Sequence, residues 1–168
     1  DFASYVAAKA KIWAHMQPND AVVAPSAHKD ICALAQQSAG RFVSFGDTSD
    51  SNYFVKANEL VGPHGALLAA NAMKRSLPHD IQNGLAAAAM CLESGVGTQA
   101  GVVQALQEFE PSHHRIELVA TKNGVRWFDD SKATSPHAAR TALRAFPRVV
   151  LIAGGRNKGL NLSELALE

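Results

Sequence analysis

The sequence is short of several things, and each shortage removes a class of protein. Only two of its 168 residues are cysteine, Cys32 and Cys91, each set among apolar neighbours with no partner close in sequence. That argues against a disulfide framework or a cysteine-held metal centre and predicts reduced core thiols of a cytosolic, cytoplasmic protein. No apolar run approaches the ~18 residues of a membrane helix, so membrane insertion is not expected. Asp1-Phe2-Ala3-Ser4-Tyr5 has neither the basic start nor the cleavage site of a secretory signal. The lack of an initiating Met leads us to expect a piece of something longer. Neither sign of charge dominates, with 16 Lys plus Arg against 15 Asp plus Glu and a net charge of +1. A mainly electrostatic grip on nucleic acid or on an anionic membrane is therefore not expected. Among motifs, the Gly-x4-Gly-Lys-Ser/Thr phosphate loop, the Gly-x-Gly-x-x-Gly fingerprint and the Gly-x-Ser-x-Gly elbow are all missing. Seven histidines are present, none at a His-x3-His spacing. His113 and His114, read as neighbours on an extended segment, face opposite ways and cannot chelate one ion as a pair, so no metal ligand is expected.

What is present is a soluble globular composition, 47% hydrophobic and 18% charged, enough for one large domain or two small ones. Phe2, Tyr5, Val6, Lys9, Ile12 and Trp13 follow helical spacing, and the segment ends near Pro18. Ala21 to Ala24 and Arg41 to Phe45 are of strand length, with a helix between them from about Asp30 to Ser38. From Asn52 to about Arg75 the pattern alternates, and Gly62-Pro63-His64-Gly65 interrupts it, which predicts a β-hairpin or a pair of short antiparallel strands. Asp80 reads as the N-cap of a helix closed by Gly95, and Thr98 as the start of the next. Glu110-Pro111-Ser112 breaks that helix and marks the expected boundary between residues 1–111 and 112–168. Beyond it, Arg115 to Ala120 and Val125 to Asp129 flank Lys122-Asn123-Gly124, a hairpin turn. Ser135-Pro136 starts a helix, and Val149 to Ala153 reads as a buried strand running into Gly154-Gly155. Strands alternating with helices predict an α/β fold.

Three segments could carry chemistry, each where a strand or loop gives way to a helix. In Pro78-His79-Asp80-Ile81-Gln82-Asn83, Asp80 and Asn83 are three apart and share a helical face away from Ile81 and Leu85. An amide there can read the edge of a base such as adenine, and a capped helix with a polar first turn explains the same residues. Phe128 to Pro136 crowds Asp130, Lys132 and Thr134 into a loop between strand and helix. Ligands gather at such places because loop amides and helix N-termini converge there. Asp130 can accept from ribose hydroxyls and Lys132 can neutralise a carboxylate or phosphate, while Arg115 offers a fork for either anion. Gly154-Gly155-Arg156-Asn157-Lys158-Gly159 is weaker, a glycine turn that lets backbone approach a ligand.

In this order the segments are far more specific than singly. His79-Asp80-x-x-Asn83, then His114-Arg115-x-Glu117, then Asp130-Ser131-Lys132-Ala133-Thr134, then Gly154-Gly155-x-x-Lys158-Gly159 together resemble the ATP-dependent Mur ligases. The Asp-Ser-Lys-Ala-Thr run is similar to the version in those members that add D-glutamate to UDP-N-acetylmuramoyl-L-alanine. The resemblance implies the later half of a central ATPase domain over 1–111 and the start of a Rossmann-like C-terminal domain over 112–168. It implies that Asp80, Asn83, Arg115 and Asp130 contact the nucleotide, the first two near adenine and the others at phosphate and ribose. Lys132, Thr134 and Lys158 then hold the carboxylates of D-glutamate, with Lys132 and Lys158 also serving catalysis. ATP and Mg2+ are the implied cofactors, their phosphate loop and metal ligands lying upstream of this stretch, and the whole protein is implied to be monomeric. Asp80 stands where the family usually carries Asn. The competing readings are a sister Mur ligase, a folylpolyglutamate synthetase-like ligase, or a non-catalytic adenine-nucleotide-binding module.

Overall fold

Alternating burial along two apolar runs builds the first sheet. Ala21–Pro25 (β1) and Arg41–Gly46 (β2) pair in parallel, with Val22 opposite Phe42 and Ala24 opposite Ser44. These positions come from a computed structural model, which describes residues 1–156, 159, 161–163 and 165. They divide into two compact units, Asp1–Phe109 and Glu110–Glu168.

In the first unit, helices Phe2–Ala10 (α1) and Lys29–Ala35 (α2) accompany β1 and β2. A short polar loop then returns the chain to lie parallel beside β2 as Tyr53–Lys56 (β3). The loop is held by Asn52, whose Oδ1 accepts from the Ser44 amide at 2.8 Å and from the Ser44 hydroxyl at 3.1 Å. That satisfies a buried serine. Glu59–Gly62 (β4) and Gly65–Ala69 (β5) complete a mixed sheet in the order β1-β2-β3-β4-β5, the last two pairings antiparallel. The expected pair of antiparallel strands is thus a three-stranded meander. Its extra turn lies at Ala57 and Asn58, both with positive φ (48° and 67°). A primed turn needs that handedness, but Ala-Asn gives a weaker signal for it than Asn-Gly does.

Pleating separates two apolar layers. Val22 and Ala24 face Ala35, Trp13, Met16 and Ile31 on one side. Ala21, Val23, Val43 and Phe45 face the other, where Pro78–Glu93 (α3) and Gln99–Glu108 (α4) bury Leu85, Ala88, Ala89, Val102 and Leu106. Tyr53 ties this layer together. Its hydroxyl donates to Glu93 at 2.8 Å, and Glu93 also pairs with Arg41 at 2.7 Å, joining β3, α3 and β2. Burial, more than the neighbouring carboxylate, pushes the Tyr53 phenol well up.

Two helix starts follow the expected chemistry and one does not. Thr98 caps α4 by accepting from the Gly101 amide at 3.2 Å. Ser135 caps Pro136–Arg144 (α5) by accepting from the Ala138 amide at 3.3 Å. Asp80, in contrast, is not the cap of α3. The helix begins at Pro78, and Asp80 is its third residue, reaching back to the Leu77 amide at 3.1 Å. Proline in the first position needs no partner for a missing N–H, which moves the start three residues upstream.

The second unit contains Glu117–Lys122 (β6) and Val125–Asp129 (β7), an antiparallel hairpin closed at Asn123 and Gly124, both with positive φ. β6 begins two residues later than Arg115, because His114 (φ 65°) and Ile116 (φ 48°) are left-handed and cannot lie in a strand. His113 and His114 consequently sit in a turn, not on an extended segment. Val149 to Ala153 is also corrected: the segment forms no strand, and Val150 and Ile152 are 91% and 80% exposed. Apolar residues become a buried strand only beside a free sheet edge. Among the described residues none pairs with this segment. The cysteines are free and half-buried, with the Cys32 thiol donating to the Pro25 carbonyl at 3.2 Å. No helix among the described residues is long and apolar enough to cross a membrane.

Candidate functional site

In the first unit, the polar first turn of α3 is more constrained than its spacing suggests. Arg75 clasps Asp80 from five residues upstream, with Nε on Oδ2 and Nη2 on Oδ1, both at 2.7 Å. With the Leu77 amide on Oδ2 as well, the Asp80 carboxylate is 9% exposed. Asp80 is therefore buried within its ion pair, while Asn83 remains exposed on the helix surface. The face they share by spacing has one inward and one outward member. Beside Asn83, Gln82 donates to Asp47 and so ties α3 to the loop that follows β2. This is the carboxyl end of a parallel strand, the usual location for ligands in open α/β sheets.

In the second unit, a polar clamp surrounds Arg115. Glu117 accepts from the His114 amide at 2.8 Å through Oε2 and bonds His113 Nδ1 at 2.8 Å through Oε1. His114 Nδ1 bonds Asp129 Oδ2 at 2.6 Å, and the Ser131 amide donates to Asp129 Oδ1 at 2.8 Å. Asp130 Oδ1 accepts from the Ile116 amide at 3.1 Å, and the Lys132 amide donates to the His114 carbonyl at 3.2 Å. The hydrogen bond from His114, then those from Ser131, hold the Asp129 carboxyl down to about 2. The His114 amide, then His113, likewise lowers Glu117, and the bond to Glu117 raises His113.

The structure brings Arg115, Asp130 and Lys132 onto one bonded loop system, with Arg115, Lys132 and Thr134 exposed and Asp130 half-buried. Lys158 lies outside the described residues. Sequence reasoning missed Asp129 and Arg75. Both are ordinary charged residues until folding places an imidazole or a carboxylate against them. Of the cysteines, histidines and acids described, His114, Glu117 and Asp129 each offer a ligand atom within 4.8 Å of the others. Their oxygens already accept from amides and imidazoles, and Mg2+ takes an octahedron of oxygens in which the His114 imidazole nitrogen is a poor member. The set does not suit Mg2+.

Comparison with known proteins gives this geometry a lineage. A UDP-N-acetylmuramoylalanine–D-glutamate ligase from Frankia casuarinae is 41% identical over 170 residues, covering 97% of this chain. The chain belongs to the Mur ligase family. A second Mur ligase of the same name, from Desulfitobacterium hafniense, is 34% identical over 168 residues and 96% of the chain. Among solved structures, MurF from Acinetobacter baumannii superposes with a TM-score of 0.65 at 19% identity, covering 84% of this chain and 32% of its own. A UDP-N-acetylmuramoyl-L-alanyl-D-glutamate–2,6-diaminopimelate ligase covers 99% of this chain and 38% of its own, with a TM-score of 0.57 at 18% identity. These two show that the fold is that of Mur ligases. The chain spans 36% and 37% of the length of the two sequence relatives, about a third of a Mur ligase. No protein-family model matches the chain.

Proposed function

We propose that the whole protein carrying this chain is a cytoplasmic, ATP-dependent acid–amino-acid ligase that joins D-glutamate to UDP-N-acetylmuramoyl-L-alanine in peptidoglycan precursor synthesis. The observation that supports it most is the 41% identity to a ligase of that name over 97% of the chain. The reaction passes the γ-phosphoryl group of ATP to the substrate carboxylate, releasing ADP and leaving an acyl phosphate. The amine of D-glutamate attacks the acyl carbon, and the tetrahedral intermediate expels phosphate and loses a proton to give the amide. Positioning the amine against the acyl phosphate accounts for most of the rate gain that such a step needs.

In this reading Asn83, with Asp80 behind it, stands by the adenine, Arg115 meets phosphate, and Asp130 accepts from the ribose. Lys132 and Thr134 neutralise and bond the two carboxylates of D-glutamate, with Lys158 as a further cation. No step is assigned to Mg2+, which the family resemblance has held by residues upstream of this chain. Residues 1–111 then belong to the central ATP-binding domain and 112–168 to the C-terminal domain. Alone, the 168-residue chain is expected to form no amide, since it carries no Gly-x4-Gly-Lys-Ser/Thr loop to hold a triphosphate.

The test is an amino-acid panel offered to the full-length protein with ATP and the UDP-sugar acid. Release of ADP and phosphate together with amide only when D-glutamate is present supports the proposal. Turnover that ignores D-glutamate and accepts an amino acid with one carboxylate overturns it.

A further inference from the structure

Left-handed backbone is unusual for a histidine and a true outlier for a β-branched isoleucine. Here the two flank one residue, since His114 (φ 65°) and Ile116 (φ 48°) stand on either side of Arg115. Such strain persists only where its surroundings over-determine it. The surroundings are the clamp: Glu117 bonds the His114 amide, Asp130 bonds the Ile116 amide, Asp129 bonds the His114 ring, and the Lys132 amide holds the His114 carbonyl. Both strained amides thus end on a carboxylate, and Ile116 is anchored by burial at 6% exposure. Between these fixed points the direction in which Arg115 leaves the backbone is set.

We infer that Glu117 is a positioning residue: by accepting the His114 amide it holds the left-handed turn that presents Arg115 to its anion. This rests on the reading of Arg115 as a nucleotide-phosphate contact. Asp130 shares the work, but its assignment to ribose makes it a poor test. Glu117 has no assigned substrate contact, so its removal acts through Arg115. An amide in place of the carboxylate keeps an oxygen for the His114 N–H, whereas a methyl group keeps nothing.

The experiment uses the full-length ligase with Glu117→Ala, Glu117→Gln, Arg115→Ala and the double variant Arg115→Ala/Glu117→Ala. Losing a charge-assisted bond that orders a contact residue is expected to raise the KM for ATP about tenfold in Glu117→Ala. The KM for D-glutamate stays within about twofold, and Glu117→Gln recovers most of the loss. In the Arg115→Ala background, removing Glu117 adds little to the dissociation constant for ATP, because the two residues act as one unit. An unchanged KM for ATP in Glu117→Ala overturns the inference, as does a full, additive loss in the double variant. A second readout is independent of turnover. In the full-length protein, amide hydrogen exchange at His114 quickens in Glu117→Ala and not in Glu117→Gln. If wild-type protein ignores D-glutamate yet these exchange rates behave as stated, the proposed reaction fails and the clamp stands. Unchanged exchange at His114 removes the clamp whatever the reaction.

Discussion

Arg75 and Asp80 meet through paired hydrogen bonds of 2.7 Å, Nε to Oδ2 and Nη2 to Oδ1. The pair fixes the entry of α3, because the same carboxylate also caps the Leu77 amide. Asp80→Ala removes the paired carboxylate from the Arg75 guanidinium, 21% exposed, and the acceptor from the Leu77 amide. The expected loss of stability is about 2–3 kcal/mol, below the value for a fully buried pair because some water reaches the arginine. Asp80→Asn keeps an oxygen for the cap and loses about 1 kcal/mol. Urea unfolding measures both, and an Asp80→Ala midpoint equal to wild type would mean that the pair contributes nothing.

Gly46 closes β2 against the loop after β1. A Cβ there would come within 2.1 Å of Ser26 Oγ, which itself accepts from the Ser51 hydroxyl at 2.8 Å. Gly46→Ala therefore drives Ser26 out of its rotamer and breaks that bond, lowering stability by about 1–2 kcal/mol. Ser26→Ala removes the obstructing oxygen. The double variant Gly46→Ala/Ser26→Ala is expected to lose less than the sum of the two single changes, a non-additivity that thermal melts can read.

The second unit has a pH signature of opposite sign at its two ends. Asp129 titrates at about 2 when folded, against an ordinary 3.8. Its contribution is complete above pH ~4 and lost as pH falls toward 2, since protonation ends its acceptance from His114 and Ser131. His113 is raised above 6.5 by Glu117, so its contribution is present below that value and lost as pH rises through its folded pKa. Carboxyl and imidazole NMR titrations report both values directly. An Asp129 carboxyl titrating near 4 in the folded chain would contradict the first, and a His113 at or below 6.5 the second.

If Lys132 and Thr134 hold the amino acid as proposed, their substitution separates amino-acid binding from nucleotide binding. In the full-length ligase, Lys132→Ala is expected to raise the KM for D-glutamate by at least about tenfold, as loss of a charged hydrogen bond does. Thr134→Val is expected to raise it by a smaller factor, and the KM for ATP should change less in both. Equal effects on the two substrates in steady-state kinetics would show that these residues support the loop and do not contact the amino acid.

The hairpin at Asn123-Gly124 and the helix starts at Thr98 and Ser135 were legible because their causes lie within a few residues. Much of the motif order was legible for the same reason: Asp130-Ser131-Lys132-Ala133-Thr134 is contiguous, and its place before α5 follows from the Ser-Pro start. What eluded the sequence came from partners farther along the chain or from strands that had to find an edge. Asp80 reads as a cap, but Pro78 starts the helix and leaves Asp80 inside the first turn, where Arg75 clasps it. The Val149–Ala153 run is as apolar as a core strand, yet none of the described residues pairs with it.

The sequence by itself determined the α/β character, the local turns and caps, and the ordered motifs that mark a Mur ligase. Tertiary structure alone decided that Ile116 turns left-handed, that its amide ends on Asp130 fourteen residues away, and that Asp129 holds His114. The physical reason is range. Propensity and capping act over about one helical turn, whereas a strained backbone, a buried charge or a strand is stable only when distant groups supply its partners.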